Sequence, residues 1–331
     1  MNIFEYEVDG VLFVGDPHLS PDKPGRRLEP EHEIVHVMMG KLEEAFRIAN
    51  SKNLLVVILG DLFDKARNSS DLLNTLLFTC LRNARHLPLC LAGNHDLLAT
   101  EVTSDTSLAA VEATGLIRVI KTSNRIVARI KMGDKMVALG GTLHDDEILS
   151  SVVGLEGTQG ADQVIWVTHH DIAFEGAYPG SLTPHAIEGC SLVVNGHMHR
   201  TQPSILAGDT WWSNPGNIFR QTIADAKHVP AVWEWNPSMD TPTRHTLTYI
   251  EDVFLWTGKQ LKVQGDSSLS IDKDDPEFVT QLQASLSSEI PKTTQGDVLM
   301  EDIEAIKEEL VPSEPVYDII LKLHAAVTKK S

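Results

Sequence analysis

Five short clusters of aspartate, asparagine and histidine punctuate this chain: Asp16-x-His18, Gly60-Asp61-x-x-Asp64, Gly93-Asn94-His95-Asp96, His169-His170 and Gly196-His197-x-His199. They offer oxygen and imidazole donors and no thiolate, a set that suits Mn²⁺, Fe or Zn²⁺ rather than a soft-metal site. One Asp-x-His or Gly-His-x-His is weak, because either arises by chance. Five of them, each after an apolar run, are not accounted for by core packing. Two ions need a bridge, and a carboxylate between two cations supplies one. Divalent ions ~3.5–4 Å apart can clamp the attacking and leaving oxygens of an in-line displacement and lower the pKa of a water between them. Metal-assisted phosphoester hydrolysis is the chemistry this set fits.

The elements that must position these groups can be read from apolar patterning. Val56 to Leu59 run into Gly60 and then Asp61, the pattern of a buried parallel strand opening into a loop. Ligands bind at the carboxyl ends of such strands. Similar runs at 11–15, 87–92, 164–168 and 191–195 deliver the other four clusters. A helix is expected from about Glu31 to Asn50, with Ile34, Met38, Leu42, Ala45 and Ala49 on one face. A second, capped by Ser70 or Asp71, carries Leu73, Leu76, Leu77 and Leu81. The first half therefore reads as strands alternating with helices, and right-handed crossovers would set the strands side by side. Residues 117–140 suggest antiparallel strands or hairpins, and a helix is expected near 145–153. Later β runs at SILAG, TWWS, AVWEW and RHTLTYI suggest a second sheet packed on the first. The glycines before Asp61, Asn94 and His197 permit sharp turns and close approach.

Composition narrows the class. The chain has 331 residues, enough for one large domain or one plus a smaller one, and 42% apolar residues, enough for a sizeable core. Three dispersed cysteines with no Cys-x-x-Cys pair argue against a disulfide framework or structural zinc. The opening MNIFEYEVDG lacks a signal pattern, and no apolar stretch approaches the ~20 residues of a membrane span. A cytoplasmic protein without membrane association is expected. A net charge of −18 excludes a general basic coat, so any nucleic acid must be held by a local patch or by metals. Arg26, Arg27, Lys65 and Arg67 lie in the loops behind the first two clusters as candidate phosphate contacts.

Residues 1–255 carry all five clusters and form the expected catalytic domain. Residues 256–297 read as a linker or reduced capping segment, and 298–331 as two amphipathic helices. Leu299, Ile303, Ile306 and Leu310 share one face and Val316, Ile319, Ile320, Leu323 and Val327 another, with Pro312 and Pro315 between. Such helices either pack on their own domain or dock a partner.

The ordered set DxH, GDxxD, GNHD, HH, GHxH resembles the calcineurin-like metallophosphoesterase superfamily over about residues 10–250. The resemblance implies an α/β fold, a four-layer α/β/β/α sandwich with a C-terminal helical extension, and a dinuclear, often Mn²⁺-dependent site. Carried over motif by motif, it gives one metal to Asp16, His18 and His199, the other to Asn94, His169 and His197, and the bridge to Asp61. His95 becomes the general acid or stabiliser of the leaving oxygen, and Asp64 holds His95 in position. His170 is left as a supporting residue or a substrate contact. The forms DPHLS, GDLFDKARNSSDLL and SNPGNIFRQT are most similar to SbcD-type DNA-repair nucleases and their phage relatives. In that branch a Pro-Gly-Ser turn stands where this chain has Pro215-Gly216-Asn217, followed by Arg220. That likeness implies DNA as substrate, an SMC-like ABC ATPase docked on the C-terminal helices, and a homodimer. A small-substrate phosphodiesterase or phosphatase shares every metal ligand and is the alternative.

Overall fold

The computed structural model describes residues 3–24, 27–174, 176, 180–251 and 253–254. The expected linker and C-terminal helices, and Arg26, lie outside the described residues. The chain forms two compact units. The larger comprises Met1–Pro24, Glu29–Gln221 and Lys227–Glu251. The smaller is described at 27–28, 222–226 and 253–254, where Leu28 donates its N–H to the Val253 carbonyl at 2.8 Å and Ile223, Val253 and Phe254 are buried together.

Two sheets form the larger unit. One is built around β2 (Gly10–Val14), β3 (Leu54–Ile58), β4 (Leu89–Leu91) and β5 (Arg118–Ile120), all parallel, with β12 (Ala231–Trp235) antiparallel beside β2 and β13 (Thr243–Thr246) antiparallel beside β12. The other runs β1-β6-β7-β8-β9-β11-β10, from β1 (Phe4–Glu7) and the hairpin β6 (Arg125–Met132) and β7 (Lys135–Thr142) to β8 (Gln163–His169), β9 (Leu192–Gly196), β11 (Thr210–Asn214) and β10 (Gln202–Ala207). Within it β7, β8, β9 and β11 are mutually parallel.

The near-continuous apolar runs of β2 and β3 arise because both faces are covered. Side chains alternate with period two. Val11, Phe13, Leu55 and Val57 meet Leu139, Ile165, Val167 and Val194 of the other sheet. Leu12, Val14, Val56 and Ile58 face the helices. α1 (Ile34–Lys52) buries Ile34, Met38, Leu42, Ala45 and Ala49 on that outer face, and α2 (Ser70–Thr79) and α3 (Ser107–Ala113) complete the layer. The far face of the second sheet, with Trp166 and Trp212, is covered by Ile148, Val152, Ile172, Phe174 and Ile187, none of which lies in a helix.

Several expectations need correction. The α2 cap is Ser69, one residue earlier than expected, its hydroxyl accepting from Leu72 N at 3.3 Å. No helix forms at 145–153: Val152 N donates to the Glu188 carbonyl and Glu188 N to the Ser150 carbonyl, both at 2.9 Å, so pairing with a distant segment replaces the local bonds of a helix. RVIKT joins the first sheet parallel to β4 rather than making a hairpin. The late β runs split between the sheets, because AVWEW and RHTLTYI pair beside β2 while SILAG and TWWS extend beyond β9.

Candidate metal centre

Parallel registers bring the strand ends to a common edge. β2 delivers Asp16 and His18, β3 Asp61 and Asp64, and β4 Asn94 and His95; from the other sheet β8 delivers His169, and β9 His197 and His199. The backbone is forced sharply at these points. Asp16, His18, Asp61 and His197 have φ of 33°, 44°, 45° and 70°, a region costly for non-glycine residues and typical of functional sites. Two glycines make room. A Cβ on Gly60, itself at φ 119°, would lie 2.2 Å from His169 Nδ1, and one on Gly93 would lie 2.2 Å from Asp61 Oδ1.

The ligand atoms converge in two groups that share one residue. His18, Asp61 and His95 form one, and Asp61, His169 and His197 the other, each with its ligand atoms within 4.8 Å of one another. His199 joins the first through its Nε2, 3.0 Å from His18 Nε2. Asn94 joins the second: His169 Nε2 lies 3.1 Å from both Asp61 Oδ2 and Asn94 Oδ1. Ligands ~2.1 Å from one ion and at right angles sit ~3 Å apart, so this spacing suits a shared cation. Asp16 accepts from His197 N at 2.9 Å through Oδ1, whereas its buried Oδ2 has no hydrogen-bond partner. His169 is oriented from behind, its Nδ1 donating to the Leu59 carbonyl at 2.8 Å. That leaves Nε2 directed at Asp61 and Asn94, and a ring nitrogen fixed in this way from its other side is the arrangement expected of a metal-ligating histidine.

The charges point the same way. Burial alone would lower the His169 pKa, but the charge and hydrogen bond of Asp61, with Asp16, raise it to about 9. Burial likewise opposes the shift of His18, yet Asp64, Asp61 and Asp16 raise it. Burial would raise Asp61, but His169, His18 and His95 hold it far below the carboxylate range. An environment that retains protons on buried imidazoles is one that favours cations. The orphaned Asp16 oxygen and two imidazole nitrogens at contact distance show that these residues fit divalent ions.

Residues expected to support the site fall out unevenly. His95 Nδ1 lies 2.8 Å from the Asp64 carbonyl and 4.0 Å from its carboxylate, so the main chain of Asp64 is the closer restraint. The Asp64 carboxylate lies nearer to His18 Nδ1, at 3.6 Å. Lys65 pairs with Asp22 and Arg67 with Asp105, both in exposed pairs. Arg27 is not a surface phosphate contact: it is buried, with its guanidinium over the Phe254 ring at 5.6 Å. His170 is not aimed at the ligand groups either; its Nε2 donates to the Asp146 carbonyl at 2.9 Å and its ring is buried. Burial and the surrounding histidines push its pKa down to about 4, so it is neutral. Arg220 is buried too, donating to the carbonyls of Glu251 and Ile250 and lying over the Tyr249 ring.

The family model for calcineurin-like phosphoesterases matches residues 10–201, which include every residue of the two ligand groups. The chain belongs to the calcineurin-like phosphoesterase family. It is a metal-dependent phosphoester hydrolase; the family implies divalent metal ions, and the groups just described are candidates to hold them. Solved structures with a similar outline include a conserved uncharacterized protein of Streptococcus pneumoniae TIGR4 described as a predicted phosphoesterase, 16% identical, covering 76% of this chain and 94% of its own, with a TM-score of 0.31. Vacuolar protein sorting 29 of Cryptosporidium parvum is 13% identical, with coverage of 72% and 96% and a TM-score of 0.32. The calcineurin-like phosphoesterase YfkN of Bacillus subtilis is 12% identical, with coverage of 72% and 88% and a TM-score of 0.38. Likenesses this loose carry no argument about substrate. A search of curated proteins finds no match. Among the described residues no helix is long and apolar enough to cross a membrane.

Three residues that sequence reasoning left without a role border this phosphoesterase site, and the first two tie its loops and strands together. Asp96 is fully buried and accepts from Leu62 N, Phe63 N and Gly93 N at 3.1–3.2 Å, tying the loop after Asp61 to the loop of Asn94. Its place as the last residue of Gly-Asn-His-Asp was the available signal. Asn195, a polar residue inside an apolar strand, accepts from Thr168 Oγ1 at 2.8 Å and His170 N at 3.0 Å and donates to the His170 carbonyl at 2.9 Å. It locks the ends of β8 and β9. His144 follows β7, a sixth strand ending at this edge, and its ring centroid lies 4.9 Å from that of His197. Burial, then His197, holds its pKa below the usual imidazole range.

Proposed function

We propose that this phosphoesterase is a two-metal phosphodiester hydrolase, a DNA exo- or endonuclease of recombination or repair using Mn²⁺ and working with an SMC-like ATPase. The observation that carries the two-metal reading is Asp61: it is the one residue common to both ligand groups, as a bridging carboxylate must be. Asp16, His18 and His199 would hold one ion and Asn94, His169 and His197 the other. The ions, when bound, supply charge neutralisation at the phosphoryl group and activation of the attacking water.

The chain's own residues do the rest. His95 donates Nδ1–H to the Asp64 carbonyl, which fixes the ring and leaves Nε2 for the leaving oxygen, where it serves as general acid. The His95 main-chain N–H donates to Asp61 Oδ1 at 2.9 Å, so the acid and the bridge are positioned together. Lys65 and Arg67 support a nucleic-acid substrate. Exposed ion pairs such as theirs contribute little, so a DNA phosphate can displace Asp22 or Asp105 at small cost.

A small-substrate phosphodiesterase is favoured by one observation, the net charge of −18, which opposes a polyanion. Salt response separates the two readings. A nuclease making several phosphate contacts loses DNA affinity steeply between 50 and 200 mM salt. Turnover of a cyclic nucleotide with DNA untouched and no salt dependence would overturn the nuclease reading. Removal of residues 298–331 should leave hydrolysis of a small diester intact while abolishing ATPase association.

A further inference from the structure

Two histidines not assigned to either ion border this centre, at different ends. His95 packs on the His18 side, with ring centroids 4.8 Å apart. His144 packs on the other side, 4.9 Å from His197 and 6.1 Å from His169. The ring of His144 is partly open to solvent, with 21% of its side chain accessible. It belongs to neither group of converging ligand atoms.

The loop that carries His144 is held by side-chain hydrogen bonds on both sides. Leu143 N donates to Ser123 Oγ at 2.8 Å, Thr142 Oγ1 to Asn124 Oδ1 at 2.9 Å, and Asn124 Nδ2 to the Glu147 carbonyl at 3.0 Å. Trp166 donates its indole N–H to Thr142 Oγ1 at 2.8 Å. His170 donates to the carbonyl of Asp146, two residues beyond His144, and its ring is nearly parallel to that of His144, at 19° and 6.3 Å. These bonds order the loop on either side of His144 in advance, as a substrate-positioning group requires. The second histidine of the His169-His170 pair thereby ties down the loop two residues beyond His144.

We propose that His144 contacts the substrate, hydrogen-bonding the phosphoryl group from the His197 side, across the centre from His95. Its Nδ1 lies 3.1 Å from Asp145 Oδ2, but Asp145 is almost fully exposed and the pair constrains the ring weakly. In this pair Nδ1–H donates to the carboxylate; giving up so exposed a bond costs little, and the ring then carries its proton on Nε2 and donates to a phosphoryl oxygen. The inference rests on the phosphoesterase reading of the site.

The test compares the full-length Mn²⁺-loaded wild type with His144→Ala and His144→Asn. Three quantities are measured: bound Mn²⁺ by elemental analysis, inorganic phosphate affinity by calorimetry, and kcat and KM on an aryl phosphodiester. One lost neutral hydrogen bond should weaken phosphate binding and lower kcat/KM about three- to tenfold in the alanine variant. Metal content should stay at the wild-type level, and asparagine, which keeps a donor, should recover part of the loss. Unchanged phosphate affinity and kcat/KM in His144→Ala would overturn the proposal. Loss of Mn²⁺ would also overturn it, making His144 a support for the ligand His197. A wild type inert on every ester would sink the phosphoesterase reading itself, and the phosphate titration would still decide the role of His144. Should the alanine variant fail to fold, the asparagine variant and a glutamine variant carry the same comparison.

Discussion

Replacing Asp96 with asparagine tests whether one buried carboxylate sets the geometry of the centre. Its Oδ2 takes the N–H groups of Leu62 and Gly93, at 3.2 and 3.1 Å, and its Oδ1 takes that of Phe63 at 3.1 Å. Burial, and then the charge of Asp61, push its pKa up to about 7 against the pull of these donors, so at pH 8 it is ionised and accepts all three. Asparagine can keep its oxygen where two donors meet, but its NH₂ then faces the Phe63 N–H. One buried donor left unsatisfied costs ~1–3 kcal/mol. For a unit of this size that lowers Tm by roughly 2–12 °C. The same displacement moves the loop after Asp61, so Mn²⁺ content should fall with Tm. The assay is a thermal melt at pH 8 with elemental analysis of the same samples. A Tm unchanged within about 1 °C would refute the reasoning, because it would mean a protonated carboxyl that asparagine mimics.

Other perturbations follow from the same geometry. Gly93→Ala would thrust a Cβ against Asp61 Oδ1, and a displacement of this order should cost about 10²-fold in kcat, read by steady-state kinetics. His95→Ala should keep its metal but lose about 10²–10⁴-fold in kcat, and unchanged turnover would refute the acid assignment. In the metal-stripped protein His169, raised to about 9, contributes stability that is complete below its ordinary pKa of ~6.5 and lost as pH rises through about 9. The metal-free Tm should therefore fall over that interval, while the Mn²⁺-loaded protein, whose ligating imidazole is already neutral, should not follow. Burial pushes Cys80 and Cys190 up to about 12 and Cys90 well above its usual value. Iodoacetamide at pH 8 should leave all three unmodified until denaturant is added, as mass spectrometry can show.

The strands that deliver the centre were legible because burial on both faces makes them continuous apolar runs ended by glycine. Val56–Gly60 is the clearest case. The ligands share one strand edge, so order and spacing carried most of the centre. What stayed hidden depended on long-range partners. Segment 145–153 has helical spacing at Ile148 and Val152, yet it pairs with Glu188, and nothing local announces that. Asp64 looked like a carboxylate partner for His95, but its backbone carbonyl is the nearer group, a choice made by loop geometry. Arg27 read as a surface cation because it sits in a loop rich in proline and charge; its burial against Phe254 joins residues more than two hundred positions apart. His144 was hidden because β7 looked like part of a hairpin alone, whereas its other edge pairs parallel with β8.

The central claim is that Asp61 bridges two divalent ions in a phosphodiester-cleaving centre. The most direct measurement is Mn²⁺-dependent hydrolysis of duplex DNA and an aryl phosphodiester, with metal content determined on the same preparations of wild type and Asp61→Ala. Two Mn²⁺ per wild-type chain with turnover, and at least one ion and the activity lost in Asp61→Ala, is the outcome this account predicts. An Asp61→Ala protein that keeps two ions, or that hydrolyses either substrate as fast as wild type, would contradict it.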